Sequence, residues 1–523
     1  MAESSQRMRG RPMFILSEGS NRTTGRDAQS SNITAGKAVA QAVRTTLGPR
    51  GMDKMLVSGA GDVVITNDGA TILEEMDIEH PAAQMIVEVA QTQEDEVGDG
   101  TTTAAILSGQ LLAEAEELLQ QDVHATTIVE GYHEAARIAK ETVEEHVVDA
   151  EVDEELLIKV ATSSMTGKGT AGVTAEHLAQ TVVDAVLGVD DDDEDAVTIE
   201  THVGASSADT ELISGVILDD GPAHAAMPRS AEDAKIAVLD IPLEVRTGEI
   251  DVEYAVESVE ELTKAMDSEA AELRGYAEVL EEAGVDIVVT TDDIDDRVVE
   301  HLTAADILAF EDVSDDEARR IIRASGARWV GAIGDLSDDD LGIVESVEVR
   351  RFGDDEFTFF EGGADAKSVT IFVRGGTENV VRELERVVRD SLDVVQTTRR
   401  TGTVVPGAGS TEIAMASAIR EAAAGITGRR QLAVDAFADA IDSIPRTIAE
   451  NSGEDPIDAL VELRALHDET GRAGIVVEGG EITYVDPIER GVLDPAAVKL
   501  EAIESATEAA TMIIRIDDVI AAS

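Results

Sequence analysis

Apolar positions recur at helical spacing toward both ends of the chain and form short strand-like runs in the middle. Near the N-terminus, Ala35, Val39, Val43 and Leu47 mark one helix face, with Asn32 as the expected N-cap. Gly48-Pro49-Arg50-Gly51 then breaks the helix. Val63–Thr66 is a short β-type run closed by Asn67-Asp68-Gly69. Further helices are expected from Pro81, carrying Met85, Ile86 and Val89, and after Gly98-Asp99-Gly100, carrying Ile106, Leu107, Leu111, Leu112, Leu118 and Leu119. Another runs from about Thr126 to Val148.

The pattern changes after residue 150. Helices near 153–163 and 174–188 flank a loop, Met165–Gly172, and the acidic run Asp190–Asp195 reads as a solvated turn. From about 196 to 375, strand-like segments alternate with helices: Val197–Ile199, Ile236–Leu239, Ile287–Thr290, Ile307–Phe310, Trp329–Ile333 and Val369–Phe372. A long charged helix is expected at roughly 250–283. A helix at Thr377–Val395 opens a second helical stretch that ends near Ala502–Ile520. The chain thus leaves a helical domain, builds an α/β insertion and returns. No repeat of solenoid period is present.

Composition narrows the class. Acidic residues number 108 and basic residues 41, a formal net charge of −67. This argues against nucleic acid and against an anionic membrane surface as partners. No apolar run is long enough to span a bilayer, and Met1–Pro12 is polar with no apolar segment behind it, so a cytoplasmic protein is expected. The absence of Cys excludes a disulfide scaffold and thiolate metal sites, and the dispersed His residues have no ligand spacing. With 43% hydrophobic residues in periodic order, the chain is folded rather than disordered. Its acidic, Lys-poor surface suits molar salt, where charge is screened within roughly 3 Å.

Several short motifs carry candidate chemistry, each with a structural alternative. Gly98-Asp99-Gly100-Thr101-Thr102-Thr103 opens a helix, and its free N–H groups and hydroxyls suit a phosphate while Asp99 suits Mg²⁺. The alternative is a tight turn with a Thr cap. Leu47-Gly48-Pro49-Arg50-Gly51 either closes over a phosphate or is a helix C-cap. Asn67-Asp68-Gly69 is a turn whose Asp68 can orient a water. Gly407-Ala408-Gly409-Ser410-Thr411-Glu412 reads as a second glycine approach to a nucleotide or as a plain helix N-terminus. Gly167-Lys168-Gly169-Thr170-Ala171-Gly172 matches a dinucleotide-loop pattern but follows a helix, so the βαβ context is missing; Lys168 remains a phosphate-sensing candidate. Asp390 lies about 40° from Val394 around its helix, on the border of the apolar stripe. It is either a solvated flank or a carboxylate aimed at a cleft.

Taken together, Leu47–Leu56, Ile65–Ile72, Gly98–Thr103 and Gly407–Glu412, in this order around an α/β insertion, closely resemble the thermosomes, the archaeal group II chaperonins. So do Asn32–Leu47 and Ala509–Ile520, and the resemblance covers about residues 13–520. It implies a multi-domain α and α/β fold with a helical equatorial domain at 1–150 and 408–523. A small intermediate domain at 151–212 and 371–407 and an α/β apical domain at 213–370 complete it. The helical protrusion, about 245–283, would form a built-in lid. The implied activity is ATP-dependent chaperoning of unfolded polypeptides inside two stacked rings of eight or nine subunits, self or paralogous. By position, Asp99 resembles the Mg²⁺ ligand and Gly100, Thr101, Thr102 and Thr103 the phosphate contacts. Leu47, Gly48, Pro49, Gly407 and Gly409 resemble nucleotide-loop residues, and Asp494 the carboxylate near the nucleoside. Asp68 and Asp390 resemble the pair that activates the attacking water, and Lys168 the γ-phosphate sensor. Three positions depart from the family pattern. Arg50 replaces a usual Lys, and the chain ends Ile520-Ala521-Ala522-Ser523 instead of in a Gly/Met-rich tail. Ala408 replaces the middle glycine of a triplet, putting a methyl group where backbone should approach the nucleotide. Ala408 and the missing tail motivate the alternative of a weakly hydrolysing or non-hydrolysing holding subunit in a mixed ring.

Overall fold

A computed structural model describes residues 21–59, 61–170, 172–190, 196–245, 259–363 and 368–521. It divides into two units, one built from the chain up to Ala150, Thr166–Lys168 and Thr403 onward, the other from Glu151–Met165 and Gly169–Gly402.

The first unit is a helical bundle around one apolar core. The helix Thr101–Gln120 lies at its centre, packed against Arg26–Val43, Pro81–Val97 and Ala496–Ile514. Glycines allow that closeness. A Cβ on Gly109 would sit 2.2 Å from Ala40 Cβ, and one on Gly36 2.5 Å from Leu112 Cδ1. On the other side, Ala125–Glu145 meets Arg429–Ile441, where Tyr132 stacks edge-on against Phe437 and donates its hydroxyl to the Leu111 carbonyl. The two ends of the bundle are tied by a strand pair, Asn21–Thr24 antiparallel to Asp518–Ala521.

Two sequence expectations are corrected here. Asn32 is not an N-cap: it is buried inside a helix that begins at Arg26 after Gly25 and ends at Val43 in a 3₁₀ turn, so Leu47 is already extended. The polar residues before Asn32 mask two helical turns that bury Ala28. The final helix stops at Ile514, because Asp518–Ala521 finds an antiparallel strand partner near the other end of the chain, in Asn21–Thr24.

Among the described residues the second unit has two large cores and a smaller phenylalanine cluster. In one, Glu154–Met165, Ala175–Leu187 and Glu378–Thr401 pack on a three-stranded sheet. Its central strand, Val369–Gly375, runs parallel to Val197–Val203 and antiparallel to Glu211–Ile213. The long helix is capped by Thr377 and ended by Gly402 at φ 69°, six residues beyond the expected Val395. The other core lies against a mixed seven-stranded sheet. Ser230–Leu239, Ile287–Thr290 and Leu308–Phe310 form its parallel part, and the short strand Trp329–Val330 pairs parallel to Val238–Leu239. Ile287–Thr290 is wholly buried, which is why it reads as an unbroken β-branched run.

An antiparallel hairpin, Gly342–Phe352 with Asp355–Glu361, went unforeseen: its first strand alternates buried and exposed positions and carries charges on the open face. Beside it, Phe352, Phe357, Phe359 and Phe372 pack ring on ring, with the Arg374 guanidinium 4.4 Å from the Phe352 centroid. The charged helix is Val259–Glu282; its expected start at 250 and most of the acidic run, 191–195, lie outside the described residues.

Candidate nucleotide site

Asp99 sits between two glycines held in the left-handed region. Gly98 (φ 68°) ends the helix Pro81–Val97, and Gly100 (φ 83°) begins Thr101–Gln120. A Cβ on Gly100 would lie 2.8 Å from Val498 Cγ1. Gln93 fixes the turn by donating its amide to the Asp99 carbonyl at 2.7 Å and to the Val498 carbonyl at 3.2 Å. No side chain caps the new helix, so the amides of its first turn are left for a ligand. Gly409 (φ 82°) likewise precedes Ser410–Ala423 with no side-chain cap, although the Ser410 amide already donates to the Gly407 carbonyl at 3.0 Å.

Asp68 lies against this turn. It caps the short helix Gly69–Glu74, with Oδ2 accepting from the Thr71 amide at 2.7 Å and Oδ1 accepting from the Thr101 hydroxyl at 3.2 Å. Gly69 allows the approach, since a Cβ there would fall 2.5 Å from Thr102 Oγ1. The turn reading of Asn67-Asp68-Gly69 matches this geometry, with Asp68 as the N-cap of the short helix.

The Leu47-Gly48-Pro49 loop joins them. Thr46 Oγ1 is 3.5 Å from Thr102 Oγ1. Asn451 donates to the carbonyls of Arg44 and Leu47, and Arg50 donates to the carbonyls of Ser452 and Gly480. Asn67 donates to the Gly167 carbonyl at 2.8 Å, and a Cβ on Gly167 would strike the Gly48 carbonyl at 2.4 Å. That brings Lys168 Nζ to 3.7 Å from Asp99 Oδ1.

On the remaining side, Val404–Pro406 pairs with Leu493–Pro495, placing Gly407 beside Asp494. A Cβ at Gly407 would lie 3.0 Å from Asp494 Oδ1, so this glycine makes room for a carboxylate. Ala408 adopts the left-handed conformation (φ 56°) that its glycine replacement would favour. Its methyl is directed at Gly474, where an added Cβ would lie 2.9 Å from it.

The first unit thus gathers Leu47, Gly48, Pro49, Asp68, Asp99, Gly100, Thr101, Thr102, Thr103, Lys168, Gly407, Gly409 and Asp494. Asp390 belongs to the second unit, where it is 2% exposed and not the solvated border position its helical angle suggests. The sequence reading missed Gln93 and Asn451, polar residues that hold the loops. It also missed Lys499, which bridges Asp494 and the buried Glu412 at 2.8 Å each. A Lys in the first turn of a helix runs against the helix dipole, and that was the legible signal.

Among the described residues no cluster of three or more His, Asp or Glu could hold a metal alone. The site nevertheless fits Mg²⁺. Asp99 offers one hard oxygen ligand beside uncapped amides, and Mg²⁺ usually completes its shell with water and substrate phosphates.

Residues 39–523 match the model of the TCP-1/cpn60 chaperonin family. The chain is 61% identical to thermosome subunit 3 of Haloferax volcanii over 98% of both chains. It is 53% identical to thermosome subunit 1 of the same organism, over 99% of this chain and 93% of that one. It is 49% identical to a thermosome subunit of Methanopyrus kandleri, over 98% and 95%. The chain belongs to the TCP-1/cpn60 chaperonin family. It is an ATP-dependent chaperonin, a nucleotide-binding protein that hydrolyses ATP in assisting protein folding. Among the described residues no helix is long and apolar enough to cross a membrane.

Proposed function

We propose that ATP binds in the glycine-lined pocket of the first unit and that its hydrolysis needs a carboxylate from each unit. The observation that supports this most is the meeting of Asp68, Asp99, the uncapped Thr101–Gln120 amides and Lys168 around one turn. The amides and hydroxyls of Thr101, Thr102 and Thr103 hold phosphate oxygens, and the Lys168 ammonium senses the terminal one. Asp99 holds Mg²⁺, which supplies neutralising charge on the phosphates. Asp68 orients the attacking water, and Asp390 accepts its proton. Because Asp390 lies in the other unit, turnover requires the two to dock, coupling hydrolysis to closure. Asp494 lies by the nucleoside, with Leu47, Gly48, Pro49, Gly407 and Gly409 lining the approach.

In domain terms, 1–150 with 408–523 is equatorial, 151–212 with 371–407 intermediate, and 213–370 apical, with the lid protrusion at about 245–283. The subunits assemble with themselves or with paralogues in two stacked rings of eight or nine in the cytoplasm and enclose unfolded polypeptides. Thermosome relatives named as numbered subunits of one organism favour a mixed ring. The Asp390→Ala variant tests the site: it should still bind ATP yet lose on the order of 10²–10⁴-fold in steady-state hydrolysis. Unchanged turnover would remove Asp390 from the mechanism. The weakly hydrolysing alternative rests on Ala408 and on the missing Gly/Met-rich tail. The Ala408 methyl lies beside Gly474, where an added Cβ would fall 2.9 Å from it, and comparing turnover of the wild type with Ala408→Gly tests that reading.

A further inference from the structure

Lys499 is almost wholly buried, with an 11% exposed side chain, and its ammonium contacts two carboxylates, Asp494 Oδ2 and Glu412 Oε1, at 2.8 Å each. Burial alone would push the ammonium toward neutrality, yet Asp494 and then Glu412 overrule it and raise its pKa far above the ordinary lysine value. Glu412 is 2% exposed, and its Oε2 has no hydrogen-bond partner. Removing Lys499 would therefore leave a buried charge uncompensated. Asp494 differs. It is partly open, on the strand paired with Val404–Pro406, and its carboxylate fills the space that Gly407 leaves vacant. An isolated Asp on such an edge has several rotamers. One fixed by a two-point buried cation has one.

We infer that Lys499 is a positioning residue for nucleotide recognition, locking the Asp494 carboxylate in the orientation that receives hydrogen-bond donors of the nucleoside. Glu412 is the counter-anchor. It holds the Lys499 ammonium from the first turn of Ser410–Ala423, the helix that Gly409 opens onto the pocket. Lys499 touches neither substrate nor reacting atoms, so its effect falls on binding and not on the chemical step. The inference rests on the placement of Asp494 beside the nucleoside in the proposed ATP site.

Steady-state kinetics of the assembled full-length protein test it, using Asp494→Asn, Lys499→Met, their double variant and Lys499→Arg. Because Lys499→Met strands Glu412, the pair Lys499→Met/Glu412→Gln is included as a charge-balanced form. Asp494→Asn and Lys499→Met should each raise the KM for ATP by about tenfold, with kcat changed by less than about threefold. The double variant should be no worse than either single, and Lys499→Arg should recover most of the loss. A multiplicative double variant, or a fall in kcat at constant KM in both the Lys499→Met and charge-balanced forms, overturns the positioning role. If Asp494→Asn raises KM while both Lys499 forms leave it alone, only the role of Lys499 fails. If Asp494→Asn itself leaves KM unchanged, the placement of Asp494 at the nucleoside fails first.

Discussion

The Thr101 hydroxyl donates to Asp68 Oδ1 at 3.2 Å, so the residue that opens the central helix also holds the carboxylate that caps the earlier short helix Gly69–Glu74. One oxygen of Asp68 caps a helix and the other faces the Gly98–Thr103 turn. Asp68→Asn keeps a cap acceptor but loses the charge. It should lower turnover by on the order of 10²-fold or more with ATP binding retained, measured by single-turnover hydrolysis beside equilibrium binding. Asp68→Ala should also cost about 1 kcal/mol of stability, from the lost cap.

Ala408 and Gly474 share one small space. Gly474→Ala would bring a methyl to 2.6 Å from Pro487 Cγ and 2.9 Å from Ala408 Cβ, and should destabilise by about 1–3 kcal/mol. Adding Ala408→Gly should return part of that loss, since one of the two clashes disappears. Thermal unfolding of the two variants checks it. Ala408→Gly alone should leave the KM for ATP unchanged.

Around the seven-stranded sheet of the second unit, carboxylates repel one another. Asp293, and after it burial, raises the Asp312 carboxyl, while burial comes first for Glu311 and Asp219. A carboxyl raised in the folded state contributes stability that is complete below its ordinary value and is lost as pH rises through the raised one. At low salt, acidifying from pH 7 toward the ordinary carboxylate range should therefore raise the unfolding temperature. Asp312→Asn should raise it at pH 7 and flatten the profile. Asn also tolerates the left-handed backbone at this position (φ 54°).

The net charge of −67 sets the working medium. Screening falls from roughly 3 Å at 1 M salt to 10 Å at 0.1 M. Like-charged subunits packed in a ring should dissociate, or the subunits unfold, as salt drops well below 1 M. Electron micrographs taken across a salt series read this directly. Intact particles at about 0.1 M would contradict it.

What could be read from the sequence was what is local. Gly98–Thr103 is contiguous, so its two left-handed glycines and the helix they start were visible without the fold. Ile287–Thr290 was visible because burial on both faces removes alternation. Asn451 was invisible because the carbonyls it holds, on Arg44 and Leu47, lie more than 400 residues away. Lys499 went unread because its partners Glu412 and Asp494 are brought beside it only by the fold, Glu412 from 87 residues away. Asp390 misled for another reason. Its angle on the helix placed it at the stripe's border, but the helix is covered more widely than its apolar residues alone imply.

The single tryptophan, Trp329, lies on the short strand beside Val238–Leu239 and is exposed, at 38%. Its emission consequently reports on the second unit alone. The helical bundle of the first unit is silent to tryptophan fluorescence and must be followed by the buried Tyr132, packed edge-on against Phe437, or by far-ultraviolet circular dichroism. When the two probes melt apart, the gap between them measures how independently the two units hold their folds.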